Sequence, residues 1–183
     1  NGKRLVKGRR DYNFLFSFDN VKFEAGVLEA ISYDAKGEEV SRYIMKTAGE
    51  PAQLRLTTIE NPDGFKADGA DMALLQFEVV DKDGRRCPLD NREVKFTVKG
   101  EGEWRGGIAQ GPDNYILSKT LPVECGVNRA IIRSPTKPGK ITVEAAAKGL
   151  PKQKVMLTTK AADYRPPSTL FLTRGETPAT PSY

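Results

Sequence analysis

Residues 67–100 read ADGADMALLQFEVVDKDGRRCPLDNREVKFTVKG and contain two stretches with the alternation of a β-strand. In the first stretch, apolar side chains occupy every second position: Ala73, Leu75, Phe77 and Val79. In the second, lysine and threonine alternate with three apolar side chains: Val94, Phe96 and Val98. A period of two over this length is typical of strands that have one face in a core and the other in water.

The segment between these stretches has the composition of a tight turn. Asp81 and Asp83 carry carboxylates that can accept hydrogen bonds from nearby backbone N–H groups, and Gly84 tolerates a positive φ. Pro88 then begins a segment that cannot lie within a central strand. The whole pattern is typical of the middle of an immunoglobulin-like β-sandwich, and nothing in it has the composition of an active site.

The composition fits a chain with a packed core and excludes several classes of catalysis. Its 29 basic and 24 acidic side chains are mixed in sign, with no basic run interleaved with aromatic residues, which argues against nucleic-acid binding. Histidine is absent, which excludes serine–histidine and cysteine–histidine catalysis as well as histidine metal sites. No apolar run reaches about 18 residues, so the sequence predicts no membrane insertion.

Turn residues divide the chain into three predicted parts. Residues 1–49 contain hairpin strands at 27–33 and 40–45, and they open on Asn1-Gly2, a hairpin-turn signal with no strand before it. We expect them to form a partial small immunoglobulin-like β domain whose N-terminal strands are missing. Residues 50–160 are predicted to be an immunoglobulin-like β-sandwich. Residues 161–183 contain four prolines and are predicted to be a Pro-rich tail or linker.

The predicted fold class is therefore all-β, an immunoglobulin-like β-sandwich preceded by a truncated smaller immunoglobulin-like domain. The second part has about seven strands separated by turns, the number expected of one sandwich. A glycine-rich segment at 100–111, followed by irregular polar residues through position 122, shows no strand pattern. No segment shows sustained helical periodicity.

Several short stretches resemble modules of a known enzyme family. Residues 23–30 read FEAGVLEA, and YDAKG at 33–37 and KTAGEP at 46–51 follow them. This order resembles the small β domain after the catalytic barrel in Bacteroidetes-type, β-galactosidase-like enzymes of glycoside hydrolase family 2. The later stretches ADGAD at 67–71 and VDKDG at 80–84 are similar to the immunoglobulin-like domain that follows it there.

The resemblance implies a non-catalytic accessory or spacer region of an exported enzyme that degrades carbohydrates. In that family two carboxylates of a (β/α)₈ barrel perform the hydrolysis, and the barrel would lie upstream. It therefore implies that this region has no catalytic residue, that the upstream barrel is its partner, and that it is periplasmic or extracellular at the cell surface. Adhesin repeats share part of the second pattern, so a carbohydrate-binding or adhesin-like surface module is the alternative.

Trp104 and Tyr115 are the candidates for contact with carbohydrate. Aromatic ring faces pack against the apolar faces of sugar rings, and Trp104 is the only tryptophan of the chain. A single tryptophan among glycines is equally suited to anchoring a loop or contacting a neighbouring domain. The sequence leaves both interpretations open.

No cofactor is predicted other than a structural calcium ion. Asp81, Asp83 and Gly84 follow part of the pattern of a calcium-binding loop, and Asp68 and Asp71 are further candidate ligands. The pattern lacks the distal glutamate and the fixed ligand spacing of such a loop. The alternative is that each aspartate stabilises a turn beside glycine.

The two cysteines, Cys87 and Cys125, allow two interpretations. Their separation in the sequence excludes a CxxC redox motif, and two cysteines cannot supply a four-cysteine zinc site. They form either one disulfide in an exported protein or two unpaired thiols. Two cysteines carry no disulfide-framework pattern, which favours the unpaired thiols.

Overall fold

The structure, a computed structural model, describes residues 1–4, 8–110 and 112–162 and contains strands but no helix in those residues. Two sheets lie face to face after position 50 and enclose one apolar core. The predicted all-β class is confirmed. The predicted tail falls almost entirely on residues 163–183, which lie outside the described residues.

The larger sheet of the sandwich has five antiparallel strands: β5 (Gln53–Ile59), β7 (Met72–Val80), β9 (Glu103–Gln110), β10 (Asp113–Ile116) and β12 (Val127–Arg133). Their order is β10-β9-β12-β7-β5. β7 pairs along its length with β5 on one side and β12 on the other. The four alternating residues of β7 that the sequence predicted to face the core are fully buried: Ala73, Leu75, Phe77 and Val79.

The smaller sheet has four antiparallel strands: β8 (Glu93–Lys99), β11 (Thr120–Pro122), β13 (Lys140–Ala147) and β14 (Gln153–Thr158). Their order is β11-β8-β13-β14. The two strands of the opening stretch, β7 and β8, thus belong to opposite sheets. The Phe77 ring meets the Phe96 ring edge to face across the core, with centroids 4.9 Å apart.

Residues 103–110 and 113–122 differ from the sequence prediction, because they form β9, β10 and β11. Gly106, at φ +73°, lies at a register irregularity of the larger sheet. A Cβ atom there would lie 2.5 Å from the Tyr115 carbonyl oxygen, so only glycine fits. The glycines therefore mark a strand that passes close to its neighbours, and the described sandwich has nine strands instead of about seven.

The described residues before position 50 form two separate two-stranded sheets, one of β1 (Arg9–Arg10) and β2 (Phe16–Ser17) and one of β3 (Val27–Tyr33) and β4 (Glu39–Lys46). β3 and β4 form the predicted antiparallel hairpin, which we call the hairpin unit. The Asp34 Oδ1 atom closes its turn by accepting the backbone N–H groups of Lys36 and Glu38, each at 2.9 Å. Every residue of β4 is exposed.

A short parallel pair closes one end of the sandwich. β6 (Lys66–Ala67) pairs with β15 (Lys160–Ala161), the last strand of the described residues. The backbone N–H of Lys160 donates to the carbonyl of Phe65, whose side chain is fully buried. The end of the described chain is thereby attached to the segment between β5 and β7.

Candidate functional site

An open cleft of about 770 Å³, which we call the junction cleft, lies between the hairpin unit and the sandwich. The connection at 47–52 forms one wall, and the turn that contains Asp81, Lys82, Asp83 and Arg85 forms the other. Within the connection, the Gly26 N–H donates to Thr47 Oγ1 at 2.9 Å, which attaches it to the start of β3. The geometry of this cleft depends on how the turn is fastened to the connection.

The Asp81 carboxylate fastens the turn to the connection. Its side chain is 1% exposed, and its Oδ2 atom accepts the backbone N–H of Gly49 at 2.8 Å. Its Oδ1 atom accepts the backbone N–H groups of Asp83 and Arg85 at 2.9 and 2.8 Å. The Arg85 guanidinium adds an ion pair at 3.2 Å. One buried side chain therefore holds two segments that lie more than 30 residues apart.

These donors determine the charge of Asp81. The hydrogen bond from the Gly49 N–H is the largest cause that lowers the pKa of Asp81, to about 2, while burial raises it. The N–H groups of Arg85 and Asp83 and the Arg85 guanidinium lower it further. The carboxylate is consequently charged at neutral pH and occupied by donors of its own chain, which suits a structural role.

The four aspartates proposed as calcium ligands lie in two separate turns. Asp83 Oδ2 pairs with the Arg85 guanidinium at 2.6 Å beside Asp81. Asp68 Oδ1 accepts the N–H groups of Ala70 and Asp71 at 2.8 and 2.7 Å. No three histidine, cysteine, aspartate or glutamate side chains gather at a metal-binding geometry in the described residues. The contacts favour the turn interpretation, and calcium binding stays a prediction without a ligand cluster.

The second aspartate turn has its own structural role at the base of β7. Asp71 Oδ2 accepts the Lys66 N–H at 2.8 Å, and the Asp71 carbonyl accepts the Ser134 N–H at 2.8 Å. The Ser134 hydroxyl donates to Asp68 Oδ1 at 3.2 Å. The backbone N–H bonds of Asp71 and Ala70 are the main causes that lower the pKa of Asp68. This turn ties β6, β7 and the end of β12 together.

Trp104, one carbohydrate candidate, lies in the core instead of on the surface. Its side chain is 8% exposed, and its ring lies 5.0 Å from the Phe96 ring. The indole Nε1–H donates to the Ser118 carbonyl at 2.8 Å. Tyr115 is half-buried and packs against the same core. Burial leaves no open indole face for a sugar, so the structure favours the packing interpretation for Trp104.

Both cysteines are free thiols. Cys87 is buried, and its Sγ atom lies 3.6 Å from the Gly49 carbonyl beside the junction cleft. Cys125 is exposed. Burial is the largest cause that raises the pKa of the Cys87 thiol. The structure therefore favours two unpaired thiols, and the disulfide between Cys87 and Cys125 stays an untested prediction.

The structure also shows a charged surface that the sequence analysis missed. The outer face of the larger sheet carries Arg55, Arg86 and Arg129, and we call it the arginine face. Arg55 Nε pairs with Glu78 Oε2 at 2.9 Å, and Arg129 donates to Gln76 Oε1 at 3.0 and 3.1 Å. Alternation in β5 and β12 could have indicated that Arg55 and Arg129 lie on the face away from the core. Only the strand order of the sheet shows that they lie close to each other.

The fold is an immunoglobulin-like β-sandwich joined to a smaller β-hairpin unit, and the carboxylates of its aspartate turns accept hydrogen bonds from the same chain. The model of glycoside hydrolase family 2 C-terminal domain 5 matches residues 54–156, more than half of the chain. The chain therefore belongs to glycoside hydrolase family 2. The matched part is a C-terminal domain of that family and not the catalytic barrel, which confirms the resemblance seen in the sequence.

Several relatives share this region. A β-glucuronidase of Formosa agariphila is 39% identical over 151 residues, which cover 82% of this chain and 15% of the relative. A β-galactosidase of Bacteroides ovatus is 34% identical over 157 residues, which cover 82% of this chain and 18% of the relative. A solved family 2 β-glucuronidase superposes with a TM-score of 0.75 at 39% identity, over 81% of this chain and 15% of that one.

The chain thus spans less than one fifth of the length of these relatives. The part of it that the structure describes contains no helix with the length and apolar character that crossing a membrane would require.

Proposed function

We propose that this chain is a non-catalytic accessory region of an exported family 2 glycoside hydrolase that takes part in carbohydrate degradation. One observation carries the proposal: the C-terminal domain model matches the sandwich itself, residues 54–156. The hydrogen-bonded carboxylates of Asp81 and Asp68 support it, because groups occupied by backbone donors are not available as the paired acid and nucleophile of a glycosidase.

The mechanical role of the region is to pack on the catalytic barrel and to set its distance from neighbouring modules. The short connection at 47–52 and its hydrogen bond from Gly49 to Asp81 support a fixed arrangement of the hairpin unit and the sandwich. A second short bond, from the Ala52 N–H to the Val80 carbonyl at 2.9 Å, acts on the same connection. A spacer needs this kind of stiffness, because a flexible linker would not hold the barrel in place.

The substrate of the complete enzyme is proposed to be a β-linked glucuronide or galactoside. The support is similarity alone: one relative is named a β-glucuronidase and another a β-galactosidase. The periplasmic or cell-surface location is likewise proposed from the family resemblance. Fractionation of the source cells, with an antibody raised against the chain, tests the location, and recovery only in the cytosol would contradict it.

Hydrolysis assays test the accessory role. The isolated 183-residue chain should release no nitrophenol from p-nitrophenyl β-D-glucuronide or β-D-galactoside, whereas the complete enzyme should hydrolyse one of the two. In the complete enzyme, D81A should lower the thermal midpoint while leaving kcat of the folded fraction unchanged. Saturable hydrolysis by the isolated chain would overturn the non-catalytic role, and inactivity of the complete enzyme on both compounds would overturn the proposed substrates.

A further inference from the structure

The arginine face carries a shallow cleft along β7 and β12. The cleft has a volume of about 450 Å³, and six of its lining residues bear on what it can bind: Leu74, Gln76, Arg86, Ile108, Arg129 and Ile131. The two arginines and Ile108 are exposed, and the other three side chains are half-buried. The cleft therefore combines a fixed apolar floor with charged groups that are open to solvent.

Two of the guanidinium charges on this face are not neutralised. Arg55 is paired with Glu78, a side chain that is only 8% exposed, so that pair contributes little net charge. Arg129 donates to the neutral amide oxygen of Gln76. Arg86 has no ion pair or side-chain hydrogen bond within the described part of the chain. Glu78 also lines the cleft and interacts electrostatically with Arg86, but three guanidinium groups face this one carboxylate, so the arginine face keeps a net positive charge.

The backbone pairing fixes the spacing of these two charges. Arg129 lies opposite Gln76, and Arg86 forms a bridge with Val80. Both are on the same edge of β7. The Val79 N–H donates to the carbonyl of Gly126, the residue before β12, and the Val79 carbonyl accepts the N–H of Cys87, the residue after Arg86. The two partners are four positions apart on β7, which places the arginine backbones about 13 Å apart along the strand. Two cations in line suit an extended chain with repeated anionic groups.

The apolar part of the cleft lies beyond Arg129, on the side away from Arg86, and Glu78 of β7 lies between the two arginines. Leu74 and Ile131 lie opposite each other on β7 and β12, and Ile108 of β9 projects beyond them with 60% of its surface exposed. Aliphatic side chains of this kind can cover the C–H faces of sugar rings, and the amide group of Gln76 can bind sugar hydroxyls. Arginine binds carboxylates through two parallel N–H bonds.

We propose that the arginine face binds a polyuronate, an extended carbohydrate chain whose carboxylates pair with Arg86 and Arg129. The choice of a carbohydrate rests on the proposed function, and the choice of an anionic one rests on the two uncompensated charges. The cleft volume lies in the range of small-ligand sites, about 300–1,000 Å³. A second copy of the chain is disfavoured, because the same two positive charges would face each other.

Calorimetric titration of the 183-residue chain with polygalacturonate tests this surface. The fully methyl-esterified polymer is the matched neutral ligand. We expect the charged polymer to bind, the ester to bind at least about tenfold more weakly, and binding to weaken as NaCl is raised. In R86A/R129A, binding of the charged polymer should fall about tenfold or more while the thermal midpoint stays unchanged, because both side chains are exposed.

The matched protein control is K95A/K99A, which removes two exposed lysines from the outer face of the opposite sheet. It should change the affinity less than about twofold. An equal loss in both double variants would overturn the site, because general basicity would then explain binding. Equal affinity for the methyl ester, or no binding at all, would overturn the anionic ligand.

Two further measurements separate other occupants of the same face. Binding of poly-L-glutamate as tight as that of the polyuronate, with the same loss in R86A/R129A, would assign the face to an acidic polypeptide and overturn the proposal. Dimerisation in sedimentation experiments that R86A/R129A abolishes would assign it to a second copy and overturn it too. None of these results bears on the hydrolysis assays, so failure here is distinct from failure of the accessory role.

Discussion

The Asp81 side chain connects two segments that are distant in the sequence. Its carboxylate accepts the Gly49 N–H from the connection and the N–H groups of Asp83 and Arg85 from its own turn. These donors give it a pKa of about 2 in the folded chain, below the value of about 4 that an unfolded chain has. The charged carboxylate therefore stabilises the folded state above about pH 4, and this contribution is lost as the pH falls from about 4 to about 2.

We predict that D81N lowers the urea midpoint at pH 7 and removes part of its fall between pH 7 and pH 3. An asparagine offers one acceptor oxygen where the carboxylate offers two, so the Gly49 N–H or the turn N–H groups lose their partner. The control is D63N, which changes an exposed aspartate whose side chain makes no hydrogen bond within the described residues. Equal midpoints of D81N and D63N at pH 7 would contradict the fastening role.

The two thiols should differ in reactivity. Cys125 is exposed, whereas Cys87 is buried and burial raises the pKa of its thiol, so less of the reactive thiolate is present. Titration with Ellman's reagent should detect one thiol per native chain at once and two in urea without reductant. C125S should abolish the fast reaction. Detection of no thiol in urea would instead show that the cysteines form a disulfide.

β9 is a strand that the sequence analysis did not predict, because its segment is rich in glycine. Its glycines lie at contacts with Tyr115 and Leu121 that leave no space for a side chain. The same strand places Trp104 opposite Ile132 of β12, where its ring meets Phe96 from the other sheet. The alternation of β9 is interrupted by a bulge at Gly106, so a pattern with a strict period of two does not detect it.

We predict that W104A destabilises the fold by about 3–5 kcal/mol, measured as the free energy of unfolding in urea. The loss combines the cavity left in the core with the lost hydrogen bond to the Ser118 carbonyl. W104F should cost less, because a ring remains beside Phe96. Y43A is the control, since Tyr43 is an aromatic side chain of β4 with 69% of its surface exposed. A W104A cost as small as that of Y43A would contradict the core assignment.

At the scale of the whole molecule, stability is unevenly distributed. The sandwich holds the apolar core, with fully buried side chains in both sheets. The hairpin unit has no buried residue in either strand, and every residue of the two strands except the half-buried Ile31 is exposed. Strands with few buried contacts open at a low free-energy cost, whereas core strands open only when the domain unfolds.

Hydrogen exchange of the 183-residue chain can measure this difference. The amides of β7, which pair on both sides, should exchange slowest, at the rate of global unfolding. The amides of β3 and β4 should exchange many times faster, because two strands without a packed face are marginally stable. Protection of β3 and β4 equal to that of β7 would contradict the lower local stability of the hairpin unit.

The strands with regular alternation could be predicted, because the order of apolar and polar side chains within one strand indicates which face is buried. Ala73, Leu75, Phe77 and Val79 lie in the core of the sandwich, and the Asp81 turn forms as its composition indicated. The motifs at 23–51 and 67–84 also identified the family, which the comparison confirmed over residues 54–156. Periodicity, turn chemistry and motif order are properties of neighbouring residues, so the sequence alone determined them.

Only the tertiary structure decided which residues meet across the chain. It placed β7 and β8 in opposite sheets, moved Trp104 into the core, and gave Asp81 a partner in Gly49. It also aligned Arg86 and Arg129 along one edge of β7. The physical reason is that strand order and sheet packing depend on contacts between residues far apart in sequence, and a local pattern determines only which face of a strand is apolar.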